Sequence, residues 1–185
     1  NFYVSCERLF NPKLINKPIV VLSNNDGCII SRSEEAKSIG IKMGVPLFKA
    51  QSLINHHKVK VLSSNYPLYA DISSRVMRLV SEFTDHQEVY SIDECFINLA
   101  GHNNHQDIAV TIKEKLWMNL RMPVCVGIGP TKVLAKFGNH CAKKQSDWNG
   151  ICLTNLLSDK FINAVMNEFS VNKVWGVGKK LTQKL

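Results

Sequence analysis

The order of apolar patterns in the middle of the chain limits the available folds more than any other sequence feature. Apolar side chains recur at three- and four-residue steps over residues 68–83, which predicts an amphipathic helix. Two short strands follow at 88–92 and 95–99, then a second helix over 108–120 and a strand at 124–128. If a further strand precedes this set, the order is that of the split βαββαβ, ferredoxin-like arrangement, an α+β fold.

The segments on either side of this set differ in character. Before it, Asn, Asp and Gly form dense turn signals between short apolar runs, which predicts a small α/β part. Its elements are strands at 19–22, 28–31 and 59–62, a helix capped by Ser33 and ended by Gly40, and a helix at 46–54. After Gly129 only helices are predicted, at 131–144, 156–169 and from 179 onward. A composition shift near residue 140 predicts the boundary of a small helical part.

Composition restricts the class of protein further. Of the 185 residues, 45% are apolar and 21% are charged, a balance that indicates a folded protein and excludes disordered, collagen-like and coiled-coil chains. No apolar run approaches the roughly 20 residues that cross a bilayer, so no membrane partner is expected. The six cysteines lack a C-x-x-C pair, which argues against a zinc-thiolate site and favours reduced thiols in a cytoplasmic protein.

The positive charge is concentrated towards the C-terminal end. There are 14 basic and 12 acidic residues up to Pro130, against 9 Lys and 3 acidic residues after it, so the net charge is +2 before and +6 after. A local excess of cations is typical of a surface that binds a phosphate-rich partner. A solvated helix face would carry the same excess, and charge alone does not separate the two interpretations.

Two adjacent carboxylates, Asp93 and Glu94, interrupt an otherwise apolar stretch at the junction of two predicted strands. Neighbouring side chains of a strand face opposite sides, but at a hairpin junction the pleat breaks and both can converge. Mg²⁺ prefers oxygen ligands and often takes only one or two carboxylates, with water and substrate phosphate completing its shell. The pair therefore indicates a divalent-cation site, or, in the simpler interpretation, an exposed hairpin tip.

A Gly-x-Gly turn lies near the C-terminal end, where Gly176 and Gly178 precede Lys179 and Lys180. An apolar segment, this turn and a new helix form the helix-hairpin-helix pattern. Glycines allow close approach of a phosphate, and the amides of the following helix start are donors. The pattern predicts sequence-independent contact with a DNA backbone, and a plain helix connection is the alternative.

A second glycine turn, residues 127–132 (GIGPTK), joins a predicted strand to a predicted helix. Lys132 falls in the first helical turn, where its ammonium group could meet a triphosphate. The turn is not a Walker A loop, because the glycine spacing and the Lys-Ser/Thr ending of that motif are missing.

These motifs resemble those of the Y-family, translesion DNA polymerases, over nearly the whole chain. The matching segments are residues 1–7 (NFYVSCE), 91–94 (SIDE), 126–136 (VGIGPTKVLAK) and 174–178 (VWGVG). Residues 20–32 (VVLSNNDGCIISR) and 63–77 (SSNYPLYADISSRVM) resemble the UmuC branch, which contains the catalytic subunit of bacterial DNA polymerase V.

The resemblance implies a division into fingers, palm and thumb. The fingers would be residues 2–64, with residue 1 continuing the first palm strand, the palm 65–139 and an incomplete thumb 140–185. The little-finger domain would follow the thumb and is expected to be absent from this chain.

The resemblance also implies roles for individual residues. Asp93 and Glu94 would be catalytic carboxylates that hold two Mg²⁺ ions for nucleotidyl transfer. Phe2 would lend a backbone carbonyl near the metals. Tyr3 would be the steric gate, whose ring excludes a ribose 2′-hydroxyl.

The substrate would be a deoxynucleoside triphosphate, reached by Lys132. Glu34 and Lys37 fall where other branches place a Tyr and an Arg on that triphosphate. Lys37 can substitute as a point charge, whereas the Glu34 carboxylate cannot make the corresponding contact.

The implied partners are a DNA primer-template, a processed UmuD dimer, RecA and the sliding clamp, in the bacterial cytoplasm. The first metal aspartate of the family belongs upstream of residue 1, so this chain by itself is expected to be nearly inactive while its parent protein is a DNA polymerase of SOS mutagenesis and DNA repair. The rival hypothesis is a noncatalytic DNA-binding or scaffold module that keeps the polymerase fold.

Overall fold

The structure is a computed structural model that describes residues 1–167 and 169–184, with the backbone alone at Ser146. Its helices are α1 Phe2–Phe10, α2 Glu34–Ser38, α3 Leu47–His56, α4 Tyr66–Ser81, α5 His105–Leu120, α6 Lys132–Lys144, α7 Asp159–Asn167 and α8 Lys179–Thr182. Its strands are β1 Ile19–Leu22, β2 Ile29–Arg32, β3 Lys60–Leu62, β4 Gln87–Ser91, β5 Glu94–Ile97, β6 Val126–Ile128 and β7 Ile151–Leu153. Glu168 lies outside this description and belongs to the predicted helix at 156–169; the predicted thumb at 140–185 includes both Glu168 and Leu185.

The first compact unit comprises Asn1–Ile97 and Trp117–Met122. Its three-stranded sheet has the order β2-β1-β3, with β1 antiparallel to β2 and parallel to β3. Every residue of β1 is buried, as expected for a β-branched run in a central strand. Ala36 of α2 and the α3 residues Ala50 and Ile54 close the same core.

Helix α1 occupies the N-terminal segment of this unit. The family resemblance implies that residue 1 continues the first palm strand, but in the structure Asn1 lies directly before α1 and belongs to no strand. Farther along α1, one guanidinium nitrogen of Arg8 donates to both Glu35 carboxylate oxygens, at 3.0 and 2.9 Å, and Arg8 also donates to the Leu14 and Lys17 carbonyls. This half-buried, charge-assisted contact holds α1 against α2 and the loop between α1 and β1.

Helix α4 supports the hairpin that follows it. The Asn65 side chain caps α4 by accepting from the Leu68 amide at 3.2 Å, and a proline occupies the first turn. The antiparallel β4–β5 hairpin is joined to α4 by a hydrogen bond, in which the Gln87 side-chain amide donates to the Met77 carbonyl at 3.0 Å.

The second compact unit comprises Asn98–Leu116 and the chain from Pro123 onward. In it, β6 and β7 pair in parallel and pack with the fully buried Ala109 of α5. The sequence predicts only helices after Gly129, and this prediction is wrong for β7. Three residues are too few to show a strand period, although all three are buried.

Strand β6 and helix α6 approach so closely that only glycine fits at position 127. A Cβ atom there would overlap the Asn139 amide and the Ala135 carbonyl, both of which are helix backbone. We therefore expect Gly127→Ala to lower the free energy of unfolding by about 3 kcal/mol, because backbone cannot yield as a flexible side chain does. Thermal unfolding of the full-length protein measures this, with Gly178→Ala as the control, since nothing lies within 4 Å of that position and its φ of −86° suits any residue.

A small effect of Gly127→Ala, equal to that of the control, would contradict the close packing. At Gly178, which caps α8, the loss should not exceed about 1 kcal/mol.

The predicted mixed α/β class is confirmed. The expected order of helix, strand, strand, helix, strand is found as α4, β4, β5, α5 and β6. Because β4 pairs with β5 while β6 pairs with β7, the described strands do not form one palm sheet, and the ferredoxin-like palm stays a prediction. None of the helices within 1–167 and 169–184 has both the length and the apolar character required to cross a bilayer.

Candidate active site

The β4–β5 hairpin places Asp93 and Glu94 at its turn, as the sequence predicts. Asp93 is exposed in the turn itself, and Glu94 is half-buried as the first residue of β5, paired with Ser91. The register shifts between Val89 and Ser91, so the pleat is broken next to the carboxylates. The Ser91 hydroxyl donates to Asp93 Oδ1 at 2.9 Å, which fixes the orientation of that carboxylate.

Tyr3 lies in the first turn of α1 and forms an aromatic cluster with two tyrosines of α4. Its ring stacks on Tyr69, with the centroids 4.2 Å apart and the planes 12° from parallel, and it meets Tyr66 edge-on at 6.0 Å. Tyr69 is completely buried, so the inner face of Tyr3 is held by a rigid surface.

The charge of Asp93 at the hairpin turn contributes to the pKa of Tyr3 at the start of α1. Burial, and then the charges of Tyr66 and Asp93, raise the pKa of the Tyr3 hydroxyl, so Tyr3 stays protonated at neutral pH. Residues 90 positions apart in sequence therefore come within electrostatic range. Helix α4 explains how, because it carries Tyr69 beneath Tyr3 at one end and receives Gln87 of the hairpin further along.

Phe2 is half-buried, with its ring 6.0 Å from that of Tyr3. It is the first residue of α1, and a carbonyl in that position ordinarily accepts from the amide four residues later. A carbonyl retains a second lone pair, so its suggested metal contact stays a prediction.

The predicted triphosphate contact Lys37 is engaged with its neighbour Glu34. The Lys37 ammonium lies 2.6 Å from Glu34 Oε1, and the same oxygen accepts from the Asn1 side-chain amide at 3.1 Å. Because Asn1 adjoins Phe2 and Tyr3, this pair lies beside the start of α1. Lys37 is thus connected through Glu34 to Asn1, two residues before Tyr3.

The donor set of the hairpin suits Mg²⁺ better than a transition metal. Across residues 1–167 and 169–184, no group of three or more His, Cys, Asp or Glu side chains could hold a metal ion. Asp93 and Glu94 offer hard oxygen ligands at a solvent-accessible turn. Two carboxylates are enough for Mg²⁺ when water and substrate phosphate complete its shell. The residues present therefore fit such an ion.

Lys132 begins α6 in the second unit, as the sequence predicts. Thr131 caps this helix by accepting from the Leu134 amide at 3.2 Å, and Lys132 is exposed in the first turn. The strand, turn and helix start expected at residues 127–132 are all present.

The Gly-x-Gly turn at Gly176 and Gly178 has the form expected of a phosphate-binding connection. Gly176 has a φ of +91°, which favours glycine, and no heavy atom lies within 4 Å of a Cβ built at Gly176 or Gly178. Lys179 and Lys180 are exposed at the start of the four-residue helix α8. Helix α7, predicted at 156–169, begins at Asp159 in the structure, and a 3-10 turn at Val171–Lys173 lies between α7 and the glycine turn.

Sequence reasoning missed two residues of the aromatic cluster. Tyr66 and Tyr69 lie within the segment 63–77, which carried the resemblance but received no role. Their spacing of three places both on the same side of α4, and that spacing is the signal by which they could have been found.

The comparisons with known proteins agree with one another. The model of the impB/mucB/samB family matches residues 1–140. The chain is 43% identical over its whole length to the protein UmuC of Salmonella typhimurium, covering 44% of that relative, and 30% identical to a DNA polymerase IV of Picrophilus torridus, covering 53% of it.

Among solved structures, the insertion ternary complex of Dbh DNA polymerase superposes with a TM-score of 0.82 at 27% identity. The match covers 100% of this chain and 54% of that one. The chain thus spans about half the length of the proteins it matches.

Proposed function

The chain belongs to the impB/mucB/samB family, and we therefore propose that the full-length protein containing it is a template-directed DNA polymerase of the error-prone, translesion type. The resemblance to the UmuC branch of the Y-family is confirmed by the relatives that span the whole chain. The named relatives include DNA polymerases, and the superposed Dbh structure is a DNA polymerase complex.

The observation that carries the proposal is the approach of Asp93 to Tyr3. A carboxylate at a hairpin tip is ordinary when it faces solvent alone. Here the tip lies within electrostatic range of an ordered aromatic side chain 90 residues away, supported by the same helix. A cation bound by carboxylates at this place would lie next to a rigid ring, and such a ring can discriminate between sugars by their shape.

In this mechanism each residue has a separate task. Asp93 and Glu94 would hold Mg²⁺, and the chemistry that the bound ion would supply is activation of the primer 3′-hydroxyl and neutralisation of the departing pyrophosphate. Ser91 keeps the Asp93 carboxylate oriented through its 2.9 Å hydrogen bond. Tyr3 presents its ring to the sugar of the incoming nucleotide and excludes a 2′-hydroxyl by steric overlap.

The triphosphate is neutralised by lysines. Lys37 lies beside the start of α1 and carries the charge that a polyphosphate requires. For Lys132, at the start of α6, contact with the triphosphate rests on family resemblance alone. Binding at Lys37 competes with Glu34, whose carboxylate already accepts from it. An exposed ion pair contributes about 1 kcal/mol or less, so a polyphosphate can replace it.

The remaining expectations rest on family resemblance. They are a processed UmuD dimer, RecA and the sliding clamp as partners, and a bacterial cytoplasmic location. The division into fingers, palm and thumb at residues 64 and 139 has the same support.

The turn at Gly176–Lys180 is proposed to contact the DNA backbone. We expect Lys179→Ala and Lys180→Ala to weaken binding to any duplex by a similar factor and to lower the slope of log affinity against log salt by about 1 for each lost phosphate contact. Fluorescence anisotropy of the full-length protein with two unrelated duplexes measures both quantities. Lys184→Ala, two residues beyond the end of α8, is a comparison for a nearby cation. A loss confined to one duplex would contradict backbone contact.

Primer extension tests the function itself. The full-length protein is supplied with an undamaged template and with one that carries an abasic site, in the presence of Mg²⁺ and all four deoxynucleotides. A polymerase of this type extends both primers. A noncatalytic DNA-binding module would bind the duplexes and extend neither.

A further inference from the structure

The contact beneath Tyr3 continues through Tyr69 to a second residue of α1. The Tyr69 hydroxyl donates to Glu7 Oε1 at 2.8 Å. Tyr3 and Glu7 are four residues apart, so they lie on one face of α1 and Tyr69 contacts both. Tyr69 therefore contacts α1 twice, with its ring against Tyr3 and its hydroxyl against Glu7.

Each part of this contact restricts the motion of the next. Tyr69 is completely buried within α4, which prevents its ring from changing rotamer. Its hydroxyl remains a donor, because burial raises the pKa of Tyr69 far above neutral pH. A ring fixed at both ends presents one plane to Tyr3, which stacks on it within 12° of parallel.

We propose that Glu7 and Tyr69 are positioning residues for Tyr3: the Glu7 carboxylate holds the Tyr69 ring in place, and that ring sets how strictly Tyr3 rejects a ribonucleotide. The proposal rests on the proposed role of Tyr3 as the steric gate. A gate excludes a hydroxyl only if its ring cannot retreat, and the stacked ring of Tyr69 blocks the retreat. Neither Glu7 nor Tyr69 touches the sugar in this scheme, so both act through Tyr3.

The experiment compares ribonucleotide with deoxynucleotide incorporation by the full-length protein. Glu7→Ala and Tyr69→Phe each remove the hydrogen bond, while Tyr69→Phe keeps the stacked ring. Each should raise the ratio of ribo- to deoxynucleotide incorporation efficiency by roughly 2- to 10-fold, the scale of one hydrogen bond. Because the measurement is a ratio, a partly unfolded population cancels from it.

Three further arms separate positioning from a general loss of structure. Glu7→Gln keeps an acceptor oxygen and should bring the ratio back towards the wild-type value. The double variant of Glu7→Ala with Tyr69→Phe should equal either single variant, since both remove the same bond. Tyr66→Leu removes an aromatic contact that meets Tyr3 edge-on rather than stacked, and should change the ratio less than Tyr69→Leu does.

The same ratio measured for Tyr3→Ala, alone and combined with Glu7→Ala, separates failure of the positioning proposal from failure of the gate. The positioning proposal is overturned, while the gate survives, if Tyr3→Ala raises the ratio and Glu7→Ala does not. It is overturned in the same way if Glu7→Ala raises the ratio by the same factor in the Tyr3→Ala variant as in the wild type. If Tyr3→Ala itself leaves the ratio unchanged, the gate fails, and the positioning roles fail with it.

Discussion

Replacing Asp93 by Asn in the full-length protein should lower the rate of nucleotide incorporation by roughly 1,000-fold, because a lost metal ligand removes several kcal/mol of charge stabilisation from the transition state. The change keeps the size of the side chain and an acceptor for the Ser91 hydroxyl, so the hairpin should fold normally. Glu94→Gln should have an effect of the same order. Single-turnover incorporation of one deoxynucleotide opposite an undamaged template measures both.

Asp85→Asn is the matched control for this loss. Asp85 is exposed in the loop between α4 and β4, outside the hairpin turn. Its replacement removes an equal charge from the same region and should leave the rate within about 2-fold of wild type. Full activity in both Asp93→Asn and Glu94→Gln would remove the hairpin carboxylates from the mechanism.

Replacing Tyr3 by Ala should raise ribonucleotide incorporation relative to deoxynucleotide incorporation on the order of 100-fold, the scale on which a pocket discriminates a small group. In the proposed mechanism the ring is the part of the site that overlaps a 2′-hydroxyl, and alanine would leave space for that hydroxyl. Parallel primer extension with each sugar measures the ratio. Deoxynucleotide incorporation should fall far less, because the metal ligands remain.

Tyr3→Phe distinguishes the ring from its hydroxyl. The stacking on Tyr69 depends on the ring alone, so phenylalanine should keep the discrimination close to that of the wild type. If Phe loses as much discrimination as Ala, the hydroxyl rather than the ring excludes the ribose.

The sequence predicts most elements of the first unit because their signals are local. Strand β1 follows from its β-branched run, and the Ser33 cap is confirmed by its hydrogen bond with the Ala36 amide at 3.1 Å. The position of the carboxylates at the hairpin turn follows from their interruption of an apolar stretch. Each of these signals is contained within a few neighbouring residues.

What the sequence does not predict depends on distant contacts. Helix α1 was not expected from the sequence. It is short, and the contacts that stabilise it come from distant residues: Arg8 forms an ion pair with Glu35, and Tyr69 of α4 packs against Tyr3. The ion pair of Lys37 with Glu34 is local, but the hydrogen bond from Asn1 to Glu34 joins residues that are 33 positions apart in the sequence. Strand β7 is recognisable only from its pairing with β6.

Counting bound Mn²⁺ tests the central claim most directly, because it reports on the ligands without requiring turnover. The full-length protein is held with a primer-template and a non-hydrolysable deoxynucleotide analogue, and Mn²⁺ is titrated with detection by electron paramagnetic resonance. The wild-type complex should bind two ions, as a two-metal mechanism requires, and Asp93→Asn and Glu94→Gln should each lose at least one or bind it far more weakly. Equal numbers of ions, bound with equal affinity in the wild type and in both variants, would contradict the assignment of the hairpin as the metal site.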